Sequence, residues 1–103
     1  MSEHIALTET TYYILLSLYR PLHGYGIMQR SAELSGGRVR LAAGTLYGAL
    51  NALVDKGWIA LLPGEGRKKE YRLTPDGEKI LKNELERLRE LVASGDMVLK
   101  EEA

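Results

Sequence analysis

Trp58-Ile59-Ala60-Leu61-Leu62, Pro63-Gly64-Glu65-Gly66-Arg67-Lys68, Lys69-Glu70-Tyr71-Arg72-Leu73 and Thr74-Pro75-Asp76 follow one another without a gap, and their reading decides the fold. The first and third runs are short, apolar-rich and bounded by turn residues, as strands are; the Pro/Gly-rich run between them makes the pair a hairpin. Thr74-Pro75-Asp76 is a helix start, with Thr as cap, Pro at the first helical position and an acid in the first turn. A hairpin running straight into a helix leaves the residues before it to be accounted for.

Upstream, the periodicity is helical three times over. Thr8 to Tyr19 places Tyr12, Leu15, Leu16 and Tyr19 on one face and Ile14 and Leu18 on the other. A helix apolar nearly all round is buried on two sides, which in a small domain points to a second subunit. Pro21 ends it. His23-Gly24-Tyr25-Gly26 turns the chain into a second helix, about Tyr25 to Ser35, closed by Gly36-Gly37, and Val39-Arg40-Leu41 alternates as one short strand would. A third helix, about Ala43 to Lys56 before Gly57, gathers Leu46, Leu50, Leu53 and Val54 on a core face. Thr45, Tyr47, Gly48, Asn51 and Asp55 fall outside that face.

Downstream, the pattern predicts a helix from Pro75 to about Val92, broken at Gly95. Leu81, Leu85, Leu88 and Val92 are spaced 4, 3, 4, an a/d seam. About 18 residues make roughly 27 Å of helix, which overhangs so small a body and favours a partner helix over the chain's own core. The expected architecture is therefore mainly α with a small β-hairpin. A winged helix-turn-helix occupies residues 1–74, and a long C-terminal dimerisation helix and tail occupies 75–103.

The chain has 103 residues, enough for one small domain. Its net charge of zero conceals a division. Residues 1–19 hold two acids and no Lys or Arg, residues 20–72 nine bases and four acids, and residues 73–103 five bases and eight acids. A basic middle suits a polyanion partner, although a solvated charged surface has the same composition. With no cysteine, disulfides and thiolate metal sites are excluded, and a reducing cytoplasm is the natural compartment. The longest apolar run, Tyr12 to Leu16, is far short of a bilayer span, so neither a membrane nor secretion is expected. The inventory also argues against an enzyme, a cofactor or a metal. His4 and His23 have no helical spacing, Gly24-x-Gly26 lacks the third glycine of a dinucleotide loop, and no Gly-Lys-Ser/Thr exists. Glu84, Glu86 and Glu90 read as solvated charges on an exposed helix face.

Four blocks then carry a resemblance. His23-Gly24-Tyr25-Gly26-Ile27, Gly44-Thr45-Leu46-Tyr47-Gly48-Ala49-Leu50, Leu53-Val54-Asp55-Lys56-Gly57-Trp58-Ile59 and Tyr71-Arg72-Leu73-Thr74-Pro75-Asp76-Gly77 resemble, in order and spacing, the PadR family of bacterial transcriptional regulators. The likeness spans about Ala6 to Leu91. It implies a homodimeric, repressor-type DNA-binding protein of the compact subgroup, with a single dimerising helix and a ligand cavity between the two such helices for a small-molecule effector. Ala42 and Ala43 stand where the family often has a small polar residue and Pro, and Gly48 where Pro commonly follows the Tyr. The third helix therefore lacks its usual cap and stiffener. Trp58 lies before the wing, not on the dimerising helix where some drug-sensing members carry a tryptophan.

On this reading the partner is double-stranded DNA carrying a palindromic operator. Thr45 and Asn51 are the candidates for base edges, Thr by contact with a thymine methyl and Asn by a bidentate pair with adenine. Tyr47 and Tyr25 are candidates for phosphate contact, and Gly44 and Gly48 keep the helix face thin. Arg67, Lys68 and Lys69 at the hairpin turn would meet flanking phosphates. Leu81, Leu85, Leu88 and Val92, with Leu15 of the first helix, would join two copies. The rival from another class is a winged helix used as a protein-interaction or structural module, in which these same residues are packing and solvation.

Overall fold

A computed structural model describes residues 6–64 and 69–101. Thr8 opens the first helix, α1 (Glu9–Ser17), by accepting the Thr11 N–H on its Oγ1 at 3.1 Å. Next come β1 (Leu22–His23), α2 (Gly24–Leu34), α3 (Ala43–Asp55), β2 (Ile59–Leu61), β3 (Glu70–Leu73) and α4 (Pro75–Glu101). The strands form one antiparallel sheet in the order β1-β3-β2, with Leu22 opposite Tyr71 on one side and Ile59 opposite Leu73 on the other. The architecture is the expected one, helices followed by a hairpin and a long helix. The sheet, however, has a third strand that the sequence did not disclose. Leu22 and His23 are two residues long and acquire strand character only through the register they share with β3.

One core holds these elements together. Ile14, Leu15 and Leu18 of α1 and its cap pack with Ile27 of α2, Leu46, Leu50 and Leu53 of α3, Ile59 of β2 and Leu81 of α4. Each fully buried aliphatic side chain contributes about 1.5–3 kcal/mol relative to exposure, so this cluster is the main stabilising feature. It also corrects three readings. Ile14 and Leu18 do not face a second subunit, because both sides of α1 are covered by the chain's own helices. Tyr19 lies beyond the end of α1, 61% exposed, with its hydroxyl donating to Glu78 Oε1 at 3.1 Å. Val54 sits on the rim of α3, not in its core face.

The connection from α2 to α3 is irregular. Gly36 and Gly37 take φ of 63° and 87°, left-handed values at which glycine is free of side-chain strain. Val39 does alternate with Arg40 in burial, but no strand forms. Its N–H donates to Ser35 Oγ at 2.9 Å, leaving no ladder to join. Val39 is buried, Leu41 half-buried, and Arg40 between them points outward.

The junction between sheet and α4 is the tightest in the molecule. Thr74 donates its hydroxyl to the Gly57 carbonyl at 2.6 Å and its N–H to the Trp58 carbonyl at 3.0 Å, while Oγ1 accepts the Gly77 N–H at 3.0 Å. A Cβ at Gly77 would overlap the Trp58 carbonyl oxygen and stand 2.8 Å from its carbon. Glycine is required here by space, not by φ.

Helix α4 continues to Glu101 and is not broken at Gly95. One interior glycine costs about 1 kcal/mol against alanine, too little to stop a helix that Ala93, Met97, Leu99 and Lys100 favour. Its 27 residues correspond to about 40 Å, consistent with a longest extent of 57 Å. Glu84, expected to be solvated, is buried. It accepts Arg87 Nε at 2.6 Å and Nη2 at 2.9 Å, and its Oε2 also accepts the Leu7 N–H at 2.9 Å. Its bond with Glu84 raises the pKa of the Arg87 guanidinium above its already high ordinary value. Among the described residues no helix is long and apolar enough to cross a membrane.

The two α4 glycines should respond oppositely to alanine. Gly77→Ala is expected to lose about 1–3 kcal/mol, since backbone must move to admit the methyl. Gly95→Ala, whose Cβ meets nothing within 4 Å among the described residues, should gain up to about 1 kcal/mol. Urea unfolding at one fixed protein concentration compares them.

Candidate nucleic-acid interface

The side of α3 turned away from Leu46, Leu50 and Leu53 is bare. Gly44, Thr45, Tyr47, Gly48 and Asn51 are all exposed, and among the described residues a Cβ built at Gly44 or Gly48 finds no atom within 4 Å. The glycines therefore serve no packing among the described residues. They thin a surface from which Thr45, Tyr47 and Asn51 project, Tyr47 and Asn51 one turn apart. Ala42 caps α3 without a side-chain bond, and no acid occupies the first turn.

Tyr47 is one point, outside the core, at which α3 meets α2. Its ring leans over the first residue of α2, so that a Cβ at Gly24 would overlap the phenol oxygen and stand 2.7 Å from Cζ. Tyr47 is nevertheless 45% exposed, packed on one side and open on the other. Next along α2, Tyr25 is 63% exposed. The start of α2 is set by His23, whose Nδ1 accepts the Gly26 N–H at 3.0 Å. A histidine cap carries no familiar sequence signature, and the close approach over Gly24 is a tertiary event. Neither was read from the chain, although Gly24 beside a helix start was the available signal. Tyr71, on the middle strand, has its phenol pKa pushed up, first by burial and then by the neighbouring Tyr47.

Of the hairpin cations, Lys69 is exposed just before β3, while Arg67 and Lys68 lie outside the described residues. Arg72 is exposed on β3 and donates weakly to the Leu73 carbonyl at 3.4 Å. Lys56, at the end of α3, stands 4.7 Å from the centre of the Trp58 ring.

The five residues expected to join two copies separate into two groups. Leu15 and Leu81 are buried in the chain's own core, because α4 packs its first turns on α1. They are not available to a partner. Leu85 and Leu88 are half-buried and Val92 is 61% exposed; beyond them Leu91, Met97, Val98 and Leu99 are exposed as well.

The contact over Gly24 generates a double-mutant cycle. Gly24→Ala should cost stability while Tyr47 is present, and gain up to about 1 kcal/mol in a Tyr47→Ala background, where only helix propensity remains. Thermal unfolding of the four variants measures the coupling.

Comparison with known proteins agrees with this geometry. Residues 12–83 match the transcriptional regulator PadR-like family. The uncharacterized 37.1 kDa protein in transposon TN4556 of Streptomyces fradiae is 42% identical over 64 residues, which cover 62% of this chain and 18% of that protein. The crystal structure of a PadR family transcription regulator from Clostridium difficile R20291 superposes with a TM-score of 0.75 at 23% identity, covering 89% of this chain and 99% of that one. Bacillus subtilis PadR, crystallised in complex with operator DNA, superposes with a TM-score of 0.65 at 28% identity over 79% of this chain and 48% of its own. The chain thus spans less than a fifth of the Streptomyces protein and about half of the Bacillus one. With the family matched over more than half its length and the winged-helix fold in place, this chain belongs to the PadR-like family of transcriptional regulators.

Proposed function

We propose that the chain binds double-stranded DNA sequence-specifically as a homodimer, occupying a palindromic operator in the cytoplasm and repressing transcription. The observation that carries this reading is the bare polar face of α3, with two glycines that serve no packing among the described residues. A groove-binding helix needs a slim surface bearing a few short polar groups, and Thr45 and Asn51 supply them. In this reading Tyr47 and Tyr25 position the protein on the backbone, and Lys69, Arg67 and Lys68 contact flanking phosphates. The DNA-bound state of the Bacillus relative supports the assignment.

Assembly follows from α4. Leu85, Leu88 and Val92 continue the seam beyond the point where the chain's own core ends, and a second α4 covers them. Two-fold symmetry then sets half-sites about 34–36 Å apart, one helical turn of DNA. Release by a small-molecule effector belongs to the same reading. A cavity of about 270 Å³ beside the seam, lined by apolar and aromatic Leu7, Tyr12, Tyr13 and Leu88 and by the charged side chains of Glu9, Glu84 and Arg87, is a place for it.

The test of DNA binding is its salt dependence on a duplex carrying the region upstream of the chain's own coding sequence. If Arg67, Lys68 and Lys69 each neutralise one phosphate, replacing all three with alanine in a dimer should flatten the slope of log K against log salt by about 5. A native chain with no salt-dependent affinity for DNA would refute the reading.

Assembly is tested separately. The native chain should sediment as a dimer at micromolar concentration, and Leu85→Glu/Leu88→Glu as a monomer that keeps its helical circular dichroism. A monomeric native chain contradicts the proposal.

A further inference from the structure

Two arginines in the α2–α3 connection look equivalent in sequence, Arg38 and Arg40, and the structure separates them. Arg38 reaches back to α1, where its Nε and Nη2 donate to the two oxygens of Glu9 at 2.8 and 3.1 Å. That fork neutralises it and raises its pKa above the ordinary value. Arg40 has no ion pair among the described residues. Its Nε donates to the Gly37 carbonyl at 3.2 Å, and its Nη2 lies where a side chain on Gly37 would be crowded, 3.1 Å from that Cβ position. The turn made by Gly36 and Gly37 thus gives the guanidinium both a carbonyl to rest on and the room to do so. Buried Val39 and half-buried Leu41 anchor the backbone on either side, so Arg40 cannot turn inward without pulling one of them out.

Its position matters because α3 begins three residues later, at Ala43. Three residues span at most about 10 Å, so the Arg40 backbone lies within that distance of the end of α3 that bears Thr45 and Tyr47. No acid sits in the first turn of α3 to compete for it. A charge that is held, exposed, uncompensated and next to a groove-binding helix is placed for a phosphate of the strand that lines the groove. Neutralising Arg40 by a carboxylate, as Glu9 neutralises Arg38, would remove that property.

We propose that Arg40 is a DNA-backbone contact on the α3 side of the groove, opposite in role to Arg38, which braces α1 against the α2–α3 connection. This rests on the DNA-binding reading above and adds a phosphate contact distinct from the wing. Arg40 supplies affinity and fixes where α3 enters the groove, without reading sequence.

The experiment compares the native chain, Arg40→Gln, Arg40→Lys and Arg38→Gln, each as the 103-residue chain. Fluorescence anisotropy follows binding to the upstream duplex and to a scrambled duplex of equal length over a range of salt concentrations. Gln at position 40 keeps an N–H for the Gly37 carbonyl and most of the stem, so circular dichroism and thermal unfolding should match the native chain. Its salt slope should be shallower by about 1.8 for two copies, at about 0.9 per lost phosphate contact. Affinity should fall by a similar factor on both duplexes. Arg40→Lys should retain the native slope, and Arg38→Gln should leave it unchanged. An Arg40→Gln slope equal to the native one overturns the proposal while leaving DNA binding intact. Equal losses for Arg38→Gln and Arg40→Gln overturn the division of roles, and a native chain without salt-dependent binding overturns the DNA reading itself.

Discussion

The rest of the molecule depends on how closely the backbone passes at Trp58 and Gly77. A single residue, Thr74, bonds the carbonyl of Gly57 through its hydroxyl and that of Trp58 through its N–H, then caps α4 by accepting the Gly77 N–H. This ties together the end of α3, the first strand of the hairpin and the start of the long helix. Because Gly77 has no side chain, α4 can lie directly against the Trp58 carbonyl and bring Leu81 into the core one turn later. Any bulk at that position would lift α4 off the sheet. The angle between the surface that carries Thr45 and Asn51 and the helix that carries Leu85 and Leu88 is therefore set by a few hydrogen bonds and one missing methyl group.

That coupling gives physical content to how a regulator of this kind could act. The bare face of α3 lies on one side of the junction and the apolar overhang of α4 on the other, with a packed core between them. In the proposed dimer, a shift of α4 against its partner would be carried to the recognition surface as a rigid displacement, because a close-packed interior transmits strain instead of absorbing it. The Glu84 site reinforces this. A buried carboxylate that accepts from Arg87 and the Leu7 N–H holds Leu7, just before α1, against α4, so motion of α4 would involve Leu7 as well.

Much of the fold was legible because helical periodicity and turn chemistry act locally. Leu46, Leu50 and Leu53 share a face wherever they are folded, and Thr74-Pro75 starts a helix whatever follows. What escaped the sequence depends on partners distant along the chain. Leu22–His23 becomes a strand only beside Tyr71 and Glu70. Glu84 reads as one more charge on an acidic helix until α1 closes over it. The heptad spacing ran unbroken through Leu81, but periodicity does not say where the chain's own core ends and an open face begins; that boundary falls between Leu81 and Leu85. For the candidate site, the exposed residues of α3 followed from helix geometry, whereas the lean of Tyr47 over Gly24 and the difference between Arg38 and Arg40 required the tertiary structure.

The charge distribution takes on a different meaning once the side chains are placed. A basic middle section of a neutral chain is a statement about composition, and some of its cations are already engaged. Arg38 is held by Glu9 and Arg30 lies 3.4 Å from Glu33, while Lys56, over the neutral Trp58 ring, keeps its charge. A cation bound to a carboxylate has no counterion to exchange with a phosphate, so it adds little to salt-dependent affinity. The field presented to a polyanion is made by the remainder, of which Arg20, Arg40, Lys56, Lys69 and Arg72 are exposed and without an ion pair among the described residues. Lys69 and Arg72 are on or beside the hairpin, Arg40 precedes α3, Lys56 follows it, and Arg20 precedes β1. In the proposed DNA complex, an α3 flanked by positive charge at its start and at the wing would be constrained at two points along its approach, which fixes orientation before any base is contacted. The sequence specificity assigned to Thr45 and Asn51 therefore depends on cations that themselves read no sequence.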